Sequence, residues 1–412
     1  MKDSGIEWVG QIPEEWDIAK ISSLYSLRNT KVSDKDYPPL SVTMQGILPQ
    51  LDTAAKSNDH DNRKLVKKGD FAINSRSDRR GSCGISELDG SVSLINTVLK
   101  PNRQMNNRYY NWLFHTSLFA DEFYKWGHGI VDDLWTTTWQ DMRKIAVPYP
   151  CIDDQKRIAT FLDRKCAEID ALSADIQSEI DTLEAYKRSV ITEAVTKGLD
   201  KNVPMKDSGI EWVGEIPAHW DVEKGKYCLR YVQKPTKPDD DVITCFRDGE
   251  VTLRKNRREE GFTISLKEIG YQGIDVGDLI VHGMDGFAGS IGISDSRGKA
   301  SPVLNVLDTN HNKRYIMYYL RNMAYNGVFL ALATGIRVRT CDTNWGKLRE
   351  LPYILPPKHE QDAIAKHIDT VLSAVDDLIK DKQNQLETLA EYKKSVIYEY
   401  VTGKKEDPDG EF

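Results

Sequence analysis

MKDSGIEWVGQIPEEWD at residues 1–17 returns as MKDSGIEWVGEIPAHWD at residues 205–221, identical at 14 of 17 positions with an offset of 204. A match of that length inside one chain means internal duplication, and it decides how every other segment is read. A second match, at an offset of 206, closes each half: Gln155 pairs with Gln361, Tyr186-Lys187 with Tyr392-Lys393, and Ser189-Val190-Ile191 with Ser395-Val396-Ile397. Each half therefore opens on the same short segment and ends on the same long one, while the middles diverge.

Weak landmarks survive in those middles. Val66–Asn74 (VKKGDFAIN) resembles Val276–His282 (VGDLIVH) with Gly69 over Gly277, and Gly84-Ile85-Ser86 falls over Gly292-Ile293-Ser294. Gly129 and Trp139 sit over Gly335 and Trp345. Short β-branched runs bounded by Gly, Asp and Ser (Phe71–Ile73, Val92–Leu99, Leu279–Val281, Val303–Leu307) predict strands of a compact mixed domain. Arg108–Trp126 and Lys313–Leu332 place apolar residues at helical spacing and predict helices. The expected class is α+β, two similar mixed domains with one fold and different surfaces.

The closing segments carry the clearest periodicity. Leu162, Ile169, Ile176, Leu183 and Val190 recur every seven residues, and Ile368, Val375, Lys382, Leu389 and Val396 hold the equivalent places. A seven-residue apolar repeat marks a helix packed on another helix. Ile158, Cys166, Leu172, Ile180 and Ala194 widen the stripe by one row. Pro148 and Pro150, then Pro356 and Pro357, precede the two helices, where proline is tolerated. Gly198 and Gly403 follow them as stops. Each helix runs roughly 45 residues, about 65 Å. Such a helix needs a partner for its stripe: its own domain, another protein or its own copy. The copy is the nearest candidate, and an antiparallel coiled coil of the two would relate the halves by a pseudo-twofold axis, with one globular domain at each end. Lys382 in the seam would weaken packing locally and help set register or orientation. The expected plan is a first domain at 1–150, a long helix at 151–200, a second domain at 201–357, a second long helix at 358–403 and a disordered tail at 404–412.

At 412 residues, 40% apolar and 29% charged, the chain buries substantial cores, which excludes wholesale disorder. No apolar run approaches the ~20 residues a membrane helix needs. The start lacks a basic stretch followed by an apolar one, so a cytoplasmic location is expected. Cys83, Cys151, Cys166, Cys228, Cys245 and Cys341 form no CxxC pair, which argues against a disulfide framework and a zinc ribbon. The net charge of −7 is carried by the long helices, −4 over residues 152–200 and −3 over 358–402, which leaves the rest of the chain neutral. Any basic surface must be local.

Catalytic motifs are missing. Gly292–Ala300 resembles a phosphate loop but spaces its glycines by five residues and ends in Ala300. There is no Asn-Pro-Pro-aromatic motif and no glycine-rich strand-to-helix turn for a methyl donor. The nuclease-like triplets Asp163-Arg-Lys165 and Glu391-Tyr-Lys393 lie on the long helices, where such spacing is ordinary surface charge. The histidines, His115, His128, His282 and His359 among them, show no metal-ligand spacing, so packed or surface roles are expected.

Recognition remains. After a predicted strand, Asn74, Arg76, Ser77, Arg79, Arg80 and Ser82 gather three arginines and small polar residues in one loop, chemistry suited to guanine edges and phosphates. The matching loop of the second half starts at His282 and is glycine-rich. Nearby basic residues are Arg247 and the cluster Arg254, Lys255, Arg257 and Arg258, joined by Arg337 and Arg339 after Gly335. Any one of these arginines alone is as readily a solvated surface charge. Trp8, Trp16, Trp212 and Trp220 occupy identical places in the two opening segments and read as scaffold packing.

The IPEEWD and IPAHWD openings, the Pro-x-x-x-x-Gln junctions (Pro150 to Gln155, Pro356 to Gln361) and the paired long segments ending Tyr-Lys-[Arg/Lys]-Ser-Val-Ile resemble the specificity subunit of type I restriction-modification systems across nearly the whole chain. The resemblance implies a non-catalytic protein with two target-recognition domains, each reading one half of a split, asymmetric double-stranded DNA site. It implies that the antiparallel helices space the readers and dock two copies of a modification (adenine-methyltransferase) subunit that carries S-adenosylmethionine, with restriction subunits bringing ATP, Mg and cleavage. A pure assembly scaffold is the rival expectation, supported by the acid excess; an enzyme in its own right is the third.

Overall fold

The computed structural model describes residues 1–50, 60–76, 79–102, 105–129, 135–257, 268–332 and 343–405. Two compact units divide the chain, Met1–Ile176 together with the chain from Asn384 on, and Gln177–Gln383. The long helices Ile152–Lys197 and Lys358–Val401, of 46 and 44 residues, each give one part to each unit.

In the first unit an antiparallel sheet runs in the order Cys83–Ile85, Phe71–Asn74, Asn96–Pro101, Tyr25–Leu27. A three-stranded sheet (Gly90–Val92, Arg63–Val66, Lys31–Val32) and the hairpin Leu40–Thr43/Gly46–Pro49 enclose a small core of Leu40, Val42, Ile47, Val66, Ala72, Val92 and Val98. The larger core is aromatic. Helices Asn107–Phe114 and Ser117–Lys125 bring Tyr109, Tyr110, Phe114, Phe119 and Phe123 against Tyr25 and Phe71, and against Ile158, Leu162, Val396 and Val401 of the long helices. Burial on this scale, at roughly 25 cal/mol per Å² of apolar surface, fastens the long helices to the domain.

The second unit repeats this plan. Its sheet runs Ile291–Ile293, Leu279–His282, Leu304–Asp308, Arg230–Tyr231, and its register is that of the first unit: Val281 faces Ile291 as Ile73 faces Cys83, and Leu279 faces Leu307 as Phe71 faces Leu99. The entry turns match bond for bond. Asp70 Oδ2 accepts from Lys67 N (2.9 Å) and Asp278 Oδ2 from Asp275 N (2.8 Å). Gly69 and Gly277 both hold φ +86°, which glycine alone adopts without strain.

Each predicted middle helix is divided in two. The first breaks at Thr116, whose hydroxyl caps the next helix by accepting from Phe119 N, and the second at Gly327 with φ +72°. The run Val92–Leu99 is likewise two strands, Gly90–Val92 and Asn96–Pro101, parted by a turn in which Asn96 N donates to Ser93 O.

Within each unit the long helices run antiparallel. In the first, Phe161 stacks on Tyr400 with ring centres 4.3 Å apart and Asp170 pairs with Lys393 at 2.6 Å. In the second, Lys187 pairs with Asp376 at 2.6 Å and Glu179 with Lys382. Asp170–Lys393 and Asp376–Lys187 are one pair seen twice at the 206 offset, as antiparallel packing of two copies requires. Of the seam, Leu162, Ile169, Ile176, Ile368, Val375 and Val396 are buried, while Leu183, Val190, Leu389 and Lys382 are half-buried. Leu172 departs from expectation. Ile158, Cys166, Ile180 and Ala194 are buried as the second row, but Leu172 is exposed. It stands one residue earlier in the heptad than Cys166 and Ile180, at the place held two heptads before by Ile158, which the first unit's core covers.

The Pro-x-x-x-x-Gln junction has a structural cause. Gln155, fully buried, donates from Nε2 to Pro150 O (2.8 Å) and accepts at Oε1 from Asn106 N (2.8 Å); Asn106 in turn caps the helix Asn107–Phe114. Gln361 repeats this with Pro356 O (2.8 Å) and Asn312 N (2.9 Å), Asn312 capping Lys313–Tyr325. One amide ties a strand end, a long helix and a middle helix together. The opening segments also have a seat. In the first unit Tyr398 Oη donates to the carbonyls of Trp8 and Val9, and a Cβ on Gly403 would lie 3.0 Å from Trp16. In the second, a Cβ on Gly198 would lie 3.0 Å from Trp220, whose Nε1 donates to Glu360 (2.9 Å).

Candidate nucleic-acid interface

The loop joining Phe71–Asn74 to Cys83–Ile85 carries the arginines of the first unit. Asn74 and Ser82 form its base rather than its surface: both are buried, Asn74 N donates to Ser82 O (2.8 Å), and Asn74 Oδ1 accepts from Arg76 N (3.0 Å). These two were expected to face a ligand; the structure uses their polar groups to close the loop. Arg76, Arg79 and Arg80 are exposed. Arg80 pairs with Asp121 at 3.1 Å and lies 5.3 Å from the ring centre of Tyr124. The Arg76 backbone bridges Thr136, and its guanidinium has no hydrogen-bond or ion-pair partner among the described residues. Ser77 lies outside the described residues.

The second unit presents a loop of the same length, His282 to Ile291, closed like the first by Gly-Ser. His282 is a turn organiser. Its Nδ1 accepts from Met284 N (3.2 Å) and Asp285 N (3.0 Å), and burial lowers its pKa below the ordinary imidazole value. The basic stretch is largely answered by acids: Arg247 by Asp285 (2.9 Å), Lys255 by Asp241 (2.5 Å), and Arg257 by Asp248 (2.6 Å) and Glu250 (3.1 Å). Arg254 is half-buried and donates to Thr244 Oγ1 (3.4 Å). Exposed pairs of this kind are worth only about 0–1 kcal/mol, so an incoming phosphate or base edge can displace the acid. Arg258, Arg337 and Arg339 lie outside the described residues.

The residues set aside as enzymatic are structural. Asp163 accepts from Trp112 Nε1 (2.8 Å) and pairs with Arg108, and Lys393 is the seam partner of Asp170. Among the described residues no cluster of three or more His, Cys, Asp or Glu could hold a metal ion, and no helix is long and apolar enough to cross a membrane. Sequence reading missed the hairpin Leu40–Thr43/Gly46–Pro49, whose Gly46 lies against Gly84 in the strand that follows the arginine loop. Its signal was Gly84 aligned with Gly292, two glycines whose purpose shows only in three dimensions.

The architecture defines a class: a duplicated α+β domain, each copy fastened to one end of each of two long helices. Comparisons narrow it. No protein-family model matches the chain. A type I restriction enzyme specificity subunit of Methanocaldococcus jannaschii, MjaX, is 24% identical over 96% of this chain and 95% of its own length. The MjaVIII specificity subunit of the same organism is 22% identical over 96% of this chain and 94% of its own. Among solved structures, a chain from an assembled type I restriction-modification system matches with TM-score 0.71 at 12% identity, covering 96% of this chain and all of that one; the HsdS subunit of Thermoanaerobacter tengcongensis matches with TM-score 0.50 at 13% identity. The chain is thus similar along nearly its whole length to specificity subunits of type I restriction-modification systems.

Proposed function

We propose that the chain reads a bipartite, asymmetric DNA site, one half through each unit, on behalf of a partner methyltransferase. The observation that carries this reading is the pairing of one scaffold with two surfaces. The sheet registers, the entry turns and the length of the loop from Asn74 to Cys83 agree, yet Arg76, Arg79 and Arg80 stand where the second unit has Met284, Phe287 and Ala288. A shared frame with unlike loops suits two unlike half-sites. The target-recognition domains are assigned to 1–150 and 201–357, with base and phosphate contacts from Arg76, Arg79 and Arg80 in the first and from Arg247, Lys255 and Arg257 in the second. S-adenosylmethionine would travel with the modification subunit, ATP and Mg with restriction subunits, and the complex would work in the cytoplasm. The test is exchange of residues 22–147 for those of another specificity subunit, read by methylome sequencing. One half of the methylated motif is expected to change; an unchanged motif, or a change in both halves, defeats the reading.

Docking of two modification subunits is supported by exposed apolar residues that the duplication repeats. Leu172 (48% exposed) corresponds to Leu378 (51%), and Tyr186 (51%) to Tyr392 (46%). By the Asp170–Lys393 register Leu172 stands level with Tyr392 in the first unit, and by the Lys187–Asp376 register Leu378 stands level with Tyr186 in the second. Each unit thus displays one leucine and one tyrosine, those of the first unit in an acidic setting that includes Glu387 and Glu391. The same patch twice suits two copies of one partner bearing apolar and basic residues. Leu172→Asp with Tyr392→Asp is expected to lower the bound partner from two copies to one by native mass spectrometry, with affinity at the altered patch falling tenfold or more. Two copies retained at wild-type affinity would remove this surface from consideration.

A further inference from the structure

We infer that the hairpin tip Met44-Gln45 is a base-reading element of the first unit, contacting an A·T pair; this rests on the proposal that the chain reads DNA. Met44 is 71% exposed, and Gln45 is exposed beside it. The tip is rigid. Thr43 pairs with Gly46, Thr43 Oγ1 donates to Gly46 O (2.9 Å) and accepts from Gln45 N (3.1 Å), and Gly46 holds φ +107°. A large apolar side chain held out on a stiff two-residue turn gains nothing from the fold that carries it.

Its place in the fold supplies the partner. A Cβ on Gly84 would lie 2.8 Å from Gly46 Cα, so the hairpin crosses the strand Cys83–Ile85 in close backbone contact, just past the end of the arginine loop. The second unit keeps the crossing: a Cβ on Gly292 would lie 1.9 Å from Gly249 O. There the tip is longer, Phe246 to Glu250, and its Arg247 reaches the neighbouring loop at Asp285 (2.9 Å). The crossing is therefore common to both units, whereas the tip differs in length and chemistry. That is the division expected of a fixed mount carrying an interchangeable probe. Glutamine is suited to the N6 and N7 edge of adenine and methionine to the thymine methyl group, while the arginine loop alongside supplies the positive charge that holds a duplex there.

The test uses the full chain assembled with its modification subunit. Methylome sequencing is run for the wild type, Gln45→Ala and the Met44→Ala/Gln45→Ala double variant, with the half-site of the first unit identified by the 22–147 exchange. Both positions are exposed, and an unchanged melting profile verifies folding. Discrimination at one A·T position of that half-site is expected to fall about tenfold or more, with the other half-site unchanged. An intact motif in the double variant overturns the inference, as does an equal loss of binding across all sequences, which marks a phosphate contact. A wild-type complex that reads no two-part site would overturn the DNA-reading proposal itself, and this inference with it.

Discussion

Gln155→Leu destabilises the first unit by about 2–6 kcal/mol, the expected result of stranding two buried backbone groups at roughly 1–3 kcal/mol each. The leucine fills a similar volume, so the loss isolates the hydrogen bonds. Pro150 O loses its donor and Asn106 N its acceptor, the latter at the residue that caps Asn107–Phe114. Gln155→Glu is a sharper form of the same test. Its carboxylate still accepts from Asn106 N but has no hydrogen to give Pro150 O, and it places a charge at a fully buried position. Urea unfolding should show both variants less stable than the wild type, and hydrogen exchange should place the change at the Asn106 amide. Gln361→Leu carries the prediction into the second unit, where Nε2 also lies 3.1 Å from His311 Nδ1. A wild-type midpoint in all three variants would mean that the junction glutamine is incidental.

Much of the architecture could be read from the chain because repetition exposes it. The 204 and 206 offsets mark two copies, and the seven-residue spacing of Leu162 to Val190 marks paired helices; the structure adds their antiparallel sense through Asp170–Lys393 and Lys187–Asp376. Lys382, the polar seam residue, is answered by Glu179. Side-chain direction was less legible. Leu172 satisfied an apolar count yet faces water, because the domain core that covers Ile158 at the same heptad position two turns of the repeat earlier does not cover Leu172. The middle helices broke where a hydroxyl cap at Thr116 and a positive-φ glycine at Gly327 override continuous apolar spacing.

The candidate site was legible in composition but not in exposure. Arg76, Arg79 and Arg80 reach solvent as a charged loop should, whereas Asn74 and Ser82 in the same run turn inward, because a loop leaving a buried strand must satisfy its own backbone first. In the second unit the basic count left out the acids that answer it. Arg247, Lys255 and Arg257 meet carboxylates that lie close in space, of which Asp241 and Asp285 are distant in sequence. The closely spaced acids Asp248 and Glu250 were visible, but only the hairpin Ile243–Cys245/Val251–Leu253 shows that they face Arg257.

The two glycine crossings give the other large effect, and their geometry grades it. A Cβ at position 292 would lie 1.9 Å from Gly249 O and 2.8 Å from Val251 Cγ2, so Gly292→Ala must push backbone from backbone. At position 84 the nearest atom would be Gly46 Cα at 2.8 Å, followed by Gly46 C at 3.4 Å, so there too backbone must move, though by less. Overpacking of this kind costs about 1–3 kcal/mol; Gly292→Ala is expected at the top of that range and Gly84→Ala near its bottom. The second crossing also has a clamp, since Arg321 donates from Nε to Ile291 O (2.8 Å) and from Nη2 to Gly249 O (3.0 Å). Displacing that hairpin moves Arg247 away from Asp285, so Gly292→Ala should relax the half-site read by the second unit and leave the other half intact. Arg321→Gln separates the causes: it loosens the clamp without adding bulk and should reproduce the loss of discrimination with less loss of stability. Calorimetry and methylome sequencing on the three variants decide the matter. Equal destabilisation by the two glycine substitutions, or relaxation of both half-sites by Gly292→Ala, would show that the crossings do not set the position of the reading hairpins.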